Sequence, residues 1–185
     1  MGAYQVASTE FQEIADSVKN PKAFEPIYNR HFQSIYTYMR NSVRDPELAA
    51  DLCADVFYSA LLNIRKFKIT PGGIRPWLFK IAVNILRMHF RKNKSVLFIP
   101  LADFQIQELI SVETSIEIAD LRKYLAGELS KLNSDEQELI QLRFVAECSY
   151  REIGIIYEIS EAAAKMRISR IIDKLKKIIP QNLKS

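Results

Sequence analysis

Ser149-Tyr150-Arg151-Glu152-Ile153-Gly154-Ile155-Ile156-Tyr157-Glu158-Ile159-Ser160-Glu161-Ala162-Ala163-Ala164-Lys165-Met166-Arg167-Ile168-Ser169-Arg170 contains two helix starts in close succession. Ser149 and Glu152 form a capping box, in which the serine hydroxyl takes the third amide of the helix and the glutamate returns to the cap amide. The helix that follows spans about two turns and stops around Tyr157-Glu158-Ile159. Ser160 then caps a longer helix that reaches roughly Ile179 and ends at Pro180. A short helix, a tight turn and a longer basic helix make a helix-turn-helix, whose second helix can lie in the major groove. That second helix, Glu161 to Lys177, carries Lys165, Arg167, Arg170, Lys174, Lys176 and Lys177. Basic side chains near its start suit guanine edges, and later ones suit phosphates. The same pattern also reads as a terminal amphipathic helix with a solvated basic face.

Upstream, Leu121, Leu125, Leu129 and Leu132 open the same unit, and Ser134 with Gln137 makes another candidate capping box before Leu139, Ile140, Leu142 and Phe144. Residues 101–120 hold Asp103, Glu108, Glu113, Glu117 and Asp120 with no Lys or Arg, an acidic linker or a solvated connector. Before it the charge reverses. From Arg75 to Lys94 there are six Lys or Arg and no acid, an excess that self-repels unless something anionic faces it. Pro76 opens a helix from Trp77 to about Lys92, with Leu78, Ile81, Ile85 and Met88 as the expected buried stripe and Lys80, Asn84, Arg87 and Arg91 as a basic one. Trp77 belongs with the core at this spacing rather than with a stacking platform.

Lys68-Ile69-Thr70-Pro71-Gly72-Gly73-Ile74-Arg75-Pro76 is a loop, because its prolines and paired glycines forbid regular helix. Asp45 as N-cap and Pro46 in the first turn start a helix running to about Phe67, with Leu48, Leu52, Val56, Phe57, Ala60 and Ile64 on one side. Asp51 and Asp55 share a face of it, one turn apart, and read either as a solvated acidic face or as a surface for a basic partner. Another helix begins near Pro21 and Pro26 and ends near Asn41, carrying Phe24, Ile27, Tyr28, Ile35 and Met39, with Phe32 off the stripe. The residues before it form a short stretch whose order the sequence leaves open.

The whole is an all-α pattern: two small helical domains joined by an acidic linker, the C-terminal one containing a helix-turn-helix. Only five glycines occur in 185 residues, and apolar residues recur at three and four throughout. Hydrophobic content of 48% allows one medium core or two small ones, and excludes global disorder. No apolar run approaches membrane-spanning length and no signal peptide opens the chain, so neither membrane insertion nor export is expected and a cytoplasmic protein is. Cys53 and Cys148 lack ligand spacing and read as packing residues, and His31 and His89 as ordinary helix-surface residues. No catalytic set, metal site or cofactor motif is present in the sequence. The net charge of +4 points weakly to an anionic partner.

Taken together, the segments over residues 20 to 180 resemble the extracytoplasmic-function branch of bacterial sigma factors. Phe24-Glu25-Pro26-Ile27-Tyr28, Tyr36-Thr37-Tyr38 and Asp45-Pro46-Glu47-Leu48-Ala49-Ala50-Asp51-Leu52-Cys53-Ala54-Asp55-Val56-Phe57 look like the family's core-polymerase-binding segment. Pro76-Trp77-Leu78-Phe79-Lys80-Ile81-Ala82-Val83-Asn84 is similar to its promoter-melting, minus-ten-reading helix. Leu129-Ser130-Lys131-Leu132, Leu142-Arg143-Phe144 and Ser149-Tyr150-Arg151-Glu152-Ile153-Gly154 resemble the approach to its minus-thirty-five reader.

The resemblance implies a region 2-like domain over 20–95, a linker over 96–120 and a region 4-like domain over 121–180. It implies that Asp51, Leu52, Asp55 and Val56 bind core polymerase at the clamp coiled coil of the largest subunit, with the flap as a further contact. Lys68, Thr70, Arg75, Lys80, Asn84, Arg87 and Arg91 are implied for minus-ten DNA, the loop capturing a flipped base. Ser160, Glu161, Lys165, Arg167, Arg170 and Lys174 are implied for minus-thirty-five DNA. Promoter DNA and an anti-sigma factor are the implied further partners, the latter with Val96, Leu97, Phe98 and Ile99 as a candidate contact.

The chain departs from the family at two places. Glu158 stands where glycine is usual, and must enter a left-handed conformation or reshape the turn. Ala162-Ala163-Ala164 replaces the usual Gly-Thr-Val. Two other classes compete with the sigma reading: a transcription regulator binding duplex DNA unaided, and a helical protein-interaction module whose basic faces are merely solvated. Steep salt dependence of DNA binding separates the last from the others.

Overall fold

A computed structural model of the chain describes residues 2–43, 45–68, 72–93, 127–129 and 131–178. The linker 96–120, with the acidic run 101–120 and Val96 to Ile99, and Leu121 and Leu125 lie outside the described residues. The elements are α1 (Gly2–Lys19), a 3-10 turn (Pro21–Phe24), α2 (Glu25–Ser42), α3 (Pro46–Asn63), a 3-10 turn (Ile64–Lys66) and α4 (Arg75–Asn93). They continue with α5 (Ser134–Ile140), a π-helical turn (Gln141–Val145), α6 (Tyr150–Tyr157) and α7 (Glu161–Ile178). No strand occurs among the described residues.

Local chemistry accounts for most helix starts. Asn20 caps the 3-10 turn, its side chain accepting from the Lys22 amide at 3.1 Å, and the chain passes straight into α2 with Pro26 in the first turn, where no amide is needed. Asp45 caps α3 by accepting from the Glu47 amide at 2.9 Å. Ser149 and Glu152 form the reciprocal box of α6, and Ser160 Oγ accepts from the Ala163 amide at 3.1 Å. The box of α5 is displaced by one residue from its expected position. Asn133, not Ser134, is the cap: its side chain accepts from the Glu136 amide at 2.9 Å and Glu136 accepts from the Asn133 amide at 3.0 Å. Asparagine and serine cap equally well, so adjacent Asn-Ser leaves the choice to the path of the incoming chain.

Helices α2, α3 and α4 pack around Ile27, Ile35, Tyr38, Met39, Val56, Ala60, Leu78 and Phe79, all buried, with the Tyr38 and Phe79 rings edge-on at 5.5 Å. Tyr28, Phe32 and Phe57 form an aromatic rim, and Trp77 packs partly buried against Phe67 at 5.3 Å. Leu129, Leu132, Leu139, Leu142, Ile153, Ile156, Ala164, Ile168, Ile171 and Leu175 make the second apolar layer, continuous with the first. Cys53 and Cys148 are both buried free thiols.

Three expectations change. The first 19 residues include a helix that joins the core through Ile14 and Val18. His31 is 7% exposed beneath α1, not on the surface. On α4 the buried residues are Leu78, Phe79, Ala82, Val83 and Leu86, while Ile81 and Ile85 are half-buried and Met88 is 62% exposed. The stripe is turned because α4 packs on two sides, against α2 and α3 and against α6.

Substituting Asn133→Ala should lower unfolding free energy by about 1 kcal/mol, whereas Ser134→Ala should change it by less than about 0.5 kcal/mol, measured by denaturant titration. Equal losses would contradict the assigned cap.

Candidate polymerase and nucleic-acid interfaces

Residues 150–178 form the helix-turn-helix, and its turn is held by two backbone constraints. The Ile159 amide donates to Gly154 O at 2.9 Å, closing the end of α6 in a Schellman-like turn. Glu158 supplies the left-handed residue that this closure needs, with φ 57° and ψ 41°. Gly154 is required for space, since a Cβ there would lie 2.8 Å from Ile159 O. On α7, Glu161, Lys165, Arg167, Arg170 and Lys174 are exposed, with Met166 among them, while Ala164 is in the core. Ser160 is engaged as the cap, and Lys174 pairs with Glu136 at 3.1 Å.

On α3, Asp51 and Asp55 are exposed as a pair one turn apart. Leu52 and Val56 are 7% and 0% exposed, so both belong to the core, Leu52 reaching the surface only along the edge of a groove. The open face continues instead to Tyr58 and Leu62, 65% and 63% exposed at the next three- and four-residue steps. Sequence reasoning passed over these two, although large apolar residues on the polar side of an amphipathic helix were a readable signal.

Lys80, Asn84, Arg87 and Arg91 follow one another along α4 as the three- and four-residue spacing requires. Lys68 is exposed at the end of the preceding segment, and Thr70 lies outside the described residues. Arg91, with Lys92, borders a groove shared with Leu52, Asp55, Ile85, Met88 and His89. The other three cations of this surface meet carboxylates from the second half of the chain. Arg87 donates from Nε and Nη2 to the two oxygens of Glu138 at 2.9 and 2.8 Å, and its guanidinium lies over the Tyr157 ring. Tyr157 also donates to Glu138.

Arg75 donates to Glu152 and to Ala146 O, both at 2.5 Å, and Lys80 donates to Glu158 at 2.5 Å. Gln141 completes the contact from the π-helical turn, donating to Asn41 O at 3.0 Å and accepting from Ser42 at 3.1 Å. Asn84 is exposed in the resulting groove beside Ile156, Tyr157 and Glu158.

The carboxyls of this contact are not equivalent. Burial pushes Glu138 above the ordinary carboxylate range despite Arg87 and Tyr157. Burial also pushes Glu152 upward, but its Ser149 hydrogen bonds and Arg75 outweigh it and hold the group below that range. Lys80 holds the exposed Glu158 low through its hydrogen bond and charge. None of these acids was expected to face α4, because the pairings join residues more than fifty positions apart.

A helix-turn-helix unit together with a second helical unit bearing its own basic helix is the build of a transcription protein that touches DNA at more than one place. Comparison with known proteins makes this specific. The Sigma-70 region 2 family model matches residues 27–96, and the Sigma-70, region 4 model matches residues 129–177. The RNA polymerase sigma factor CarQ of Myxococcus xanthus is 30% identical over 162 residues, covering 85% of this chain and 89% of its own. The ECF RNA polymerase sigma factor SigM of Bacillus subtilis is 27% identical over 154 residues, covering 82% and 92%. Among solved structures, CnrH in complex with the cytosolic domain of CnrY shares the fold at a TM-score of 0.61 and 24% identity, covering 90% of this chain and 94% of that one. The chain belongs to the sigma factors of bacterial RNA polymerase, in their extracytoplasmic-function branch, and serves promoter-specific initiation of transcription.

A non-glycine residue held left-handed is strained by about 1 kcal/mol, so Glu158→Gly should be more stable than Glu158→Ala by about that amount. Both variants lack the Lys80 pair, so thermal or denaturant unfolding of the two reads the backbone alone. An alanine variant as stable as the glycine variant would contradict the left-handed turn.

Proposed function

We propose that this chain addresses core polymerase to promoters through three separate surfaces. The α3 face of Asp51, Asp55, Tyr58 and Leu62 meets the basic clamp coiled coil of the largest polymerase subunit. The α4 stripe of Lys80, Asn84, Arg87 and Arg91, with Lys68, Thr70 and Arg75 before it, grips and opens minus-ten DNA. The start of α7, with Ser160, Glu161, Lys165, Arg167, Arg170 and Lys174, reads the minus-thirty-five element, and the surrounding unit contacts the flap. The domain limits proposed are 20–95 and 121–180, with 96–120 between them. Bond making belongs to the polymerase, and this protein supplies address and strand opening in the cytoplasm.

The observation that carries this reading is the pairing of Arg75, Lys80 and Arg87 with three carboxylates. Guanidinium and ammonium groups at that spacing bind anionic oxygens, and phosphate oxygens make the same contacts as carboxylates. In the closed arrangement Glu138, Glu152 and Glu158 occupy the places that DNA phosphates would take. Minus-ten DNA and the second domain therefore compete for the same cations, so promoter reading requires that domain to leave α4.

No described helix is long and apolar enough to cross a membrane. An anti-sigma partner is proposed because the fold is shared with CnrH in complex with the cytosolic domain of CnrY, and with RpoE of Bartonella quintana in complex with the anti-sigma factor NepR. Val96 to Ile99 remain the candidate contact.

The deciding experiment is transcription by purified bacterial core polymerase on randomised promoter-like templates. Transcripts should appear only when the protein is added. They should fall at least about tenfold with Lys80→Glu and Arg87→Glu together, and similarly with Asp51→Lys and Asp55→Lys, given the ~1–3 kcal/mol attached to each charged contact. Co-elution with core should be lost only in the second pair. A folded protein that neither co-elutes with a matched core nor supports a transcript would refute the assignment.

A further inference from the structure

Helix α1 precedes the residues matched by the region 2 family model, and the three surfaces above give it no task. It nevertheless reaches the entry of α4. Ile14 and Ser17 are buried, and the same side of the helix presents Glu10 and Glu13. Glu13 accepts from Arg30 Nη2 at 2.8 Å, which anchors α1 to α2. Glu10 lies one turn earlier, 3.9 Å from Arg30 and 3.8 Å from His31 Nε2. Its Oε2 accepts from the backbone amide of Ile74 at 3.3 Å.

The fit around that carboxylate is close. Gly73 has φ +68°, and a Cβ built on it would lie 2.4 Å from Glu10 Oε2. Gly73 thus satisfies two demands, a left-handed backbone and a bare face against which the carboxylate packs. Ile74 is fully buried, and its carbonyl takes the Leu78 amide at 3.0 Å, the first turn of α4. A negative group at this position also suits the positive end of the helix. Burial pushes the Glu10 carboxyl upward, but His31, the Ile74 amide and Arg30 outweigh it, so the group stays ionised.

We propose that Glu10 is a positioning residue for minus-ten recognition, fixing Gly73 and Ile74 and through them the start of α4 from which Arg75 and Lys80 meet promoter DNA. The inference rests on the minus-ten role proposed for α4. It makes α1 part of the reading device, clamped by Glu13 on α2 and acting by Glu10 on the entry of α4.

The test uses the full chain bound to core polymerase. The probe is a fluorescent single-stranded oligonucleotide carrying the minus-ten sequence that the wild-type holoenzyme selects, compared with one in which that element is scrambled. Glu10→Ala should lower the ratio of the two affinities about tenfold, the effect of one charge-assisted hydrogen bond, while core affinity is unchanged. Glu10→Gln should keep most of the ratio, because its amide oxygen still accepts from Ile74. Gly73→Ala should lower the ratio in the wild-type background and lower it less, by about threefold or more, in the Glu10→Ala background, where no carboxylate meets the new methyl.

An unchanged ratio in Glu10→Ala, with only a lower melting temperature, would overturn the inference and leave Glu10 as packing. Additive effects of the two substitutions would equally overturn it. A wild-type holoenzyme without any minus-ten preference would instead remove the reading on which it rests.

Discussion

The bidentate pairing of Arg87 with Glu138, beside the Tyr157 ring, is the interaction on which the arrangement of the described residues depends. Helix α4 carries cations and no acid of its own, so neutralising charge has to come from elsewhere. Within this chain it comes from α5 and α6, and in the proposed working state it comes from DNA. The two states exchange like for like at these cations, carboxylate for phosphate. Exposed pairs such as Lys80 with Glu158 add little to stability, whereas Arg87 and Glu138, partly withdrawn from water, fix the register of the contact.

Closure also has an apolar part. Val83 and Ile156 join one core, and Gln141 docks against the end of α2 through Asn41 and Ser42. That contact explains why α4 buries residues on two sides and why Met88 is left outside. The departure at Glu158 belongs to the same contact. A residue strained to complete the turn before α7 is also the partner of Lys80, so the helix-turn-helix is tied to the basic stripe of α4 through one side chain.

The fold was largely legible in the sequence, because helix starts are written locally. Asp45-Pro46, Ser149 with Glu152, and Ser160 each satisfy amides within three residues, and the structure has them as expected. The left-handed alternative foreseen for Glu158 is the one adopted. What was not legible depends on partners distant in the chain. Burial of His31 needs α1, and Glu10 of α1 meets Ile74 from sixty-four positions away. The choice of Asn133 over Ser134, and the burial of Leu52 and Val56 while Tyr58 and Leu62 stay exposed, likewise follow from how helices are set against each other. Periodicity names the faces of a helix; it does not say which face a second domain will cover.

We infer that one set of cations on α4 is held in turn by this chain's own carboxylates and by promoter DNA. A photo-reactive amino acid placed at Asn84, in the groove beside Tyr157 and Glu158, tests it most directly. In the free protein it should crosslink to α6 of the same chain, and in the initiating complex with core polymerase to the minus-ten strands. Persistence of the α6 crosslink in complexes that are making transcripts, with none to DNA, would contradict the claim.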